Sequence, residues 1–137
     1  MRFMIIVKAT ADSEACAMPG EKLLADMAAY HEELAKAGVL LDANGLKPTS
    51  AGWRVRYRGA QRSVVDGPFA ETKELIAGYT LIQARTREEA LEWSKRFPNP
   101  RGEGVDCEIE VRQVMELDDF EPSPALERFR ALDAAAQ

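Results

Sequence analysis

The chain is short of the residues that usually announce a chemistry. It has a single histidine, His31, which excludes the common multi-histidine metal centres. Its two cysteines, Cys16 and Cys107, stand far apart with no CxxC spacing, so neither a thiolate zinc site nor a redox pair is expected. No cofactor is expected. Long apolar runs are missing: none approaches the ~20 residues that cross a bilayer. The opening MRFMIIVKATADSEAC has too short an apolar stretch for a signal peptide before its acids begin. A cytoplasmic protein with no membrane partner is expected. Surplus positive charge is missing too. With 18 Lys and Arg against 23 Asp and Glu, the net charge of −5 argues against direct nucleic-acid binding.

What is present is an ordinary globular composition. The 137 residues fit one domain, and a 46% hydrophobic content is enough to build a core without staples. Residues 3–9 are apolar on both alternating faces, with Phe3, Ile5 and Val7 on one side and Met4 and Ile6 on the other, which predicts a central strand. Residues 10–19 read as a loop. From Glu21 to Ala37 the period becomes helical, since Leu23, Met27, Tyr30 and Leu34 stack in one stripe and Gly38 suits the left-handed residue that ends a helix. Val39-Leu40-Leu41 opens a second strand that breaks up near Asn44-Gly45.

Residues 53–58 and 61–66 flank Gly59-Ala60, a two-residue turn with glycine first. That turn sets the register: Arg58 opposes Gln61, Arg56 opposes Ser63, Val55 opposes Val64, and Trp53 opposes Asp66. One hairpin face then carries Arg54, Arg56 and Arg58. The other carries Trp53, Val55, Tyr57 and Val64, with Asp66 at its end. After the loop 66–74, residues 76–84 predict another strand with apolar groups on both faces. Thr86 and Glu89 form a capping box for a helix running until Pro98. Residues 108–115 alternate as a last strand, and Ser123-Pro124 starts a final helix with Leu126, Phe129 and Leu132 as its stripe.

The order β-α-β, hairpin, β-α-β predicts an α+β fold: a ferredoxin-like split βαβ sheet with an inserted hairpin and both helices on one face. The other face stays apolar and uncovered, which predicts a homodimer closed sheet-on-sheet around a cavity, a dimeric α+β barrel.

The nine residues Asp66-Gly67-Pro68-Phe69-Ala70-Glu71-Thr72-Lys73-Glu74 resemble the signature of the DGPF-domain, YCII-related proteins. Tyr30-His31-Glu32-Glu33-Leu34 before Gly38, the Gly45-Leu46-Lys47-Pro48 turn, Gly78-Tyr79 and Glu110-Val111-Arg112 agree with it. The resemblance covers about residues 1–115. Residues 1–118 read as the α+β domain and 119–137 as a C-terminal helical extension. The resemblance implies a dimeric α+β barrel without a settled activity. Some relatives are encoded beside extracytoplasmic-function sigma factors, and a helix histidine with a later aspartate is suspected of acid–base chemistry in the wider group.

On that basis Asp66 and His31 are the candidate catalytic pair. Asp66 reads either as an Asx-turn cap or, beside Trp53 on an apolar face, as a buried acid with a raised pKa. His31 lies at the edge of its helix stripe and has the one side chain that titrates near neutrality unaided. Trp53, Phe69, Lys73, Glu110 and Arg112 are the candidate ligand-binding residues. Lys73 and Arg112 would anchor an anionic group. Glu110 and Arg112, if turned inward, would pair, because an unpaired buried charge is costly. The expected function is binding of a small organic molecule near the DGPF loop with acid–base chemistry. The alternative is a non-catalytic accessory or regulatory protein linked to sigma-factor transcription.

Overall fold

The apolar N-terminal run becomes the hub of the protein. In the computed structural model, which describes residues 1–70 and 73–136, Arg2–Lys8 (β1) pairs antiparallel on both sides. Its neighbours are Ile76–Gln83 (β5) and Ile109–Gln113 (β6). Leu40–Gly45 (β2) pairs antiparallel with the far side of β5, giving the strand order β2-β5-β1-β6. This is an α+β architecture consistent with a ferredoxin-like fold. Phe3 and Ile5 of β1 and Ile82 of β5 share one face. Tyr30 and Leu34 from helix Glu21–Lys36 (α2) and Ala90 from helix Arg87–Lys95 (α3) pack on them to form the core. Ile5, Leu34 and Ile82 are fully buried.

Local chemistry sets the helix limits. Gly38 takes φ +74° after α2, and the Val39 N–H donates back to the Leu34 carbonyl at 3.0 Å. Thr86 caps α3 by accepting from the Glu89 N–H, while the Glu89 carboxylate reaches the Arg85 N–H. α3 stops at Lys95, short of the expected Pro98. The Arg96 and Phe97 N–H groups turn back onto the Trp93 and Ser94 carbonyls, and proline disfavours a helical residue at Phe97. A four-residue helix, Ala11–Glu14 (α1), stands where only a loop was expected. Thr10 and Ser13 exchange side-chain and backbone hydrogen bonds to start it. Pro124–Ala136 (α4) begins as expected, with the Ser123 hydroxyl accepting from the Leu126 N–H. Of its stripe only Leu126 is buried; Phe129 and Leu132 are exposed.

Trp53–Arg58 (β3) and Gln61–Asp66 (β4) form a separate two-stranded sheet, and all four expected cross-strand pairs are observed. Gly59 opens the turn at φ +57°, where a side chain would be strained. This hairpin stands away from the main sheet as an arm, and its Trp53, Tyr57 and Val64 are each about two-thirds exposed.

Candidate functional site

The start of the DGPF loop is closely packed against residues 49–52. Gly67 passes so close to residues 49–52 that a Cβ there would lie 1.8 Å from the Thr49 carbonyl oxygen. Its N–H donates to the Gly52 carbonyl at 3.0 Å. Thr49 ties three segments together. Its hydroxyl accepts from the Phe69 N–H (3.0 Å) and donates to Glu14 Oε2 (2.5 Å), and its own N–H donates to Glu14 Oε1 (3.0 Å). The Arg54 guanidinium lies 3.8 Å over the Phe69 ring. Arg54 is therefore packed onto the loop.

The expected burial of Asp66 is not found within the chain. The carboxylate is exposed, opposite a Trp53 that is itself 65% exposed. The pairing is as expected; the burial fails because the arm does not fold back onto the body. Nor does Asp66 act as an Asx-turn cap, since its side chain accepts no hydrogen bond among the described residues. Lys73 and Glu74 are exposed, while Glu71 and Thr72 lie outside the described residues. Glu110 and Arg112 lie on the sheet face away from α2 and α3, as expected, yet they do not pair with each other. Glu110 meets Lys8 at 3.5 Å, and Arg112 is exposed with no ion pair among the described residues.

A larger concave feature than any at the loop lies between the first half of α2 and the β2–β5 end of the sheet. It is a cleft of about 440 Å³ walled by Leu23, Leu24, Met27, Phe97 and Val7, with His31 and Thr80 as polar groups. Its volume falls in the range of ordinary ligand pockets, roughly 300–1,000 Å³. The cleft exists because side chains are missing from its floor. Gly45 pairs with Gly78 and Ala43 with Thr80, so three of four floor positions carry a methyl group or less. A Cβ on Gly45 would meet nothing within 4 Å, whereas one on Gly78 would lie 2.9 Å from the Asn44 carbonyl oxygen. Gly78 lets β2 approach, and Gly45 leaves the hollow open.

His31 is the one expected site residue in this wall. Its Nδ1 is 2.7 Å from the Met27 carbonyl, which can only accept, so Nδ1 carries a proton. Nε2 is 2.8 Å from the hydroxyl of the buried Thr80. That hydroxyl donates to the neutral ring and accepts from the protonated one, so both charge states are satisfied. Edge-on contacts with Tyr30 (5.5 Å) and Phe97 (6.2 Å) hold the ring's plane. Behind it, Tyr30 donates to the Trp93 carbonyl at 2.7 Å, and burial pushes its phenol up to about 12. Asp66, Trp53, Phe69, Lys73, Glu110 and Arg112 do not line the cleft. The floor glycines were visible in the sequence only as a Gly-Tyr-Thr step and an Asn-Gly break.

Among the described residues no group of three His, Cys, Asp or Glu side chains is placed to hold a metal, and no helix is long and apolar enough to cross a membrane. Comparison with known proteins matches residues 1–118 to the family described as YCII-related domain. An uncharacterized protein of Rhizobium meliloti (strain 1021) is 35% identical over 79 residues, which make up 58% of this chain. The chain covers 64% of that relative, just under two thirds of its length.

Proposed function

The chain belongs to the YCII-related domain family, and we propose that it binds a small organic molecule in the cleft between α2 and the sheet. The observation that carries this reading is the hollow of about 440 Å³ with apolar walls and a small-residue floor beside His31. A concave, largely apolar surface with a few fixed polar groups is the usual make-up of a ligand site. Among the described residues the cleft wall holds no lysine or arginine, so the ligand suited to it has an apolar body and one group that hydrogen-bonds near His31 and Thr80. Any acid–base step at this site falls to His31 Nε2, through the Thr80 hydroxyl, rather than to an Asp66–His31 pair. The half-buried apolar residues Met4, Ile6 and Leu81 on the sheet face away from α2 and α3 support a homodimer, with one cleft in each protomer.

Thermal-shift screening of a small-molecule library tests the site. Gly45→Leu fills the hollow from a position with free space around its Cβ, so the fold should survive. The expected outcome is a set of compounds that raise Tm in wild type and lose their effect in Gly45→Leu. Equal shifts in both proteins would place the binding elsewhere and end the proposal.

A further inference from the structure

The cleft has a smaller neighbour. A second hollow of about 200 Å³ shares Phe97 and Pro100 with it and no other lining residue, so the two adjoin there. The rest of the second lining is Ser94, Asn99, Cys107, Glu108 and Ile109. The shared wall is held firmly in place. The Phe97 N–H donates to the Ser94 carbonyl at 3.1 Å, and its ring meets Tyr30 edge-on at 5.2 Å. Asn99 braces the turn that carries Pro100: its Nδ2 donates to the Val105 carbonyl at 2.7 Å, and its Oδ1 accepts from the Arg101 N–H at 2.9 Å.

The two hollows offer different chemistry. The cleft is apolar apart from the His31–Thr80 pair. In the second hollow the Asn99 side chain is already engaged at both ends, and the Ser94 hydroxyl donates to the Leu91 carbonyl at 2.8 Å. The Glu108 carboxylate, one residue ahead of β6, is exposed and in no ion pair among the described residues. The cations next to Phe97 in the chain are taken: Lys95 pairs with Glu92, and Arg96 pairs with Glu33 while stacking over Trp93 at 4.4 Å. Among the described residues no lysine or arginine lines either hollow. The one fixed charge along the combined groove is therefore negative, and it stands in the smaller hollow.

We infer that the ligand is an elongated amphiphilic amine spanning both hollows. Its neutral hydrogen-bonding end meets the His31–Thr80 pair, its apolar chain crosses Phe97 and Pro100, and its ammonium group reaches Glu108. An aliphatic amine is protonated at neutral pH, as the lysine side chain is. Opposite charge at one end and apolar walls at the other fix which way round it lies. The inference rests on the cleft reading above and adds the class of molecule that fills it. It also reverses the anionic ligand expected from Lys73 and Arg112, neither of which lines either hollow.

NMR titration of the full chain with linear amino alcohols of increasing length tests this, beside diols and hydroxy acids of the same lengths. Salt at about 0.15 M screens the general attraction of an acidic protein for cations. Each added methylene should tighten binding about two- to fourfold, the effect of burying a CH2 group. Long amino alcohols should bind about two- to fivefold tighter than the matching diols, the worth of an exposed ion pair, and hydroxy acids should bind weakest. Short amino alcohols, which cannot pass Phe97, should show no such preference. Glu108→Gln should bring the long amino alcohols down to the level of the diols. Equal affinity of amines and diols at every length, or a preference that survives Glu108→Gln, overturns the amine while the cleft stands. Binding of all three series undiminished in Gly45→Leu overturns the cleft and this inference together, and so does a wild type that binds none of them.

Discussion

The two ends of the same helix–sheet sandwich are built on opposite rules. At the end where Phe3 pairs with Ile82, α2 presses Leu34 and Tyr30 into a floor of large side chains, and nothing is left open. At the end where Val7 pairs with Gly78, the same helix offers Leu23 and Met27 to a floor of glycine and alanine, and they remain half-buried along a cleft. One continuous stripe on α2 therefore does two jobs, and the sheet decides which. Volume removed from the strands, not chemistry added to the helix, makes the hollow.

The sharpest way to break this contrast is to truncate the stripe at each end. Leu34→Ala should lower the unfolding free energy by about 2–5 kcal/mol in urea titration, the range for a leucine cut from a closed core. Leu23→Ala should cost less than about 1 kcal/mol, since its atoms are already partly solvated. Equal losses would mean the ends are not different.

A second test uses alkali. Tyr30 belongs to the closed end, and its phenol titrates near 12 instead of the ordinary 10 because burial penalises the charged form. A raised folded-state pKa gives stability that is present below pH 10 and lost as pH climbs through 12. Wild type should thus lose about 2–3 kcal/mol relative to Tyr30→Phe between pH 9 and 12, read from denaturant midpoints. A constant gap between the two proteins would show that the phenol is not enclosed.

The third test sits on the boundary between the ends. Thr80→Val keeps the shape but strips the partner from His31 Nε2. The expected cost is about 1–2 kcal/mol at neutral pH, less than for a fully buried orphan because the ring borders the cleft. The NMR chemical shifts of the His31 ring nitrogens should move in the variant, since Nε2 loses its 2.8 Å partner. Unmoved ring-nitrogen shifts would mean that Thr80 does not hold the ring.

Much of the fold could be read from the residues alone. Strand periods, the Thr86 and Ser123 caps, the Gly38 stop and every cross-strand pair of the hairpin follow from local rules, because each depends on neighbours a few positions away. The cleft did not follow. Its signal is absence, three small residues brought side by side by the β2–β5 register, and that register is a long-range fact. Asp66 shows the same limit from the other side. The turn fixed its partner across the strand, but burial depended on whether the arm lay against the body. The motif Asp-Gly-Pro-Phe packs tightly on residues 49–52, where the closeness of the Thr49 carbonyl leaves room only for glycine at position 67.

The placing of β1 governs how the molecule is assembled in time. Its shortest link to a neighbour closes from Lys8 to Ile76, and its other edge pairs with Ile109–Gln113. α2 and the hairpin complete themselves from nearby residues while β1 is still alone. Long-range pairings of this kind slow folding in general, and the hollow beside His31 needs them, since Val7, Gly45 and Gly78 line it together.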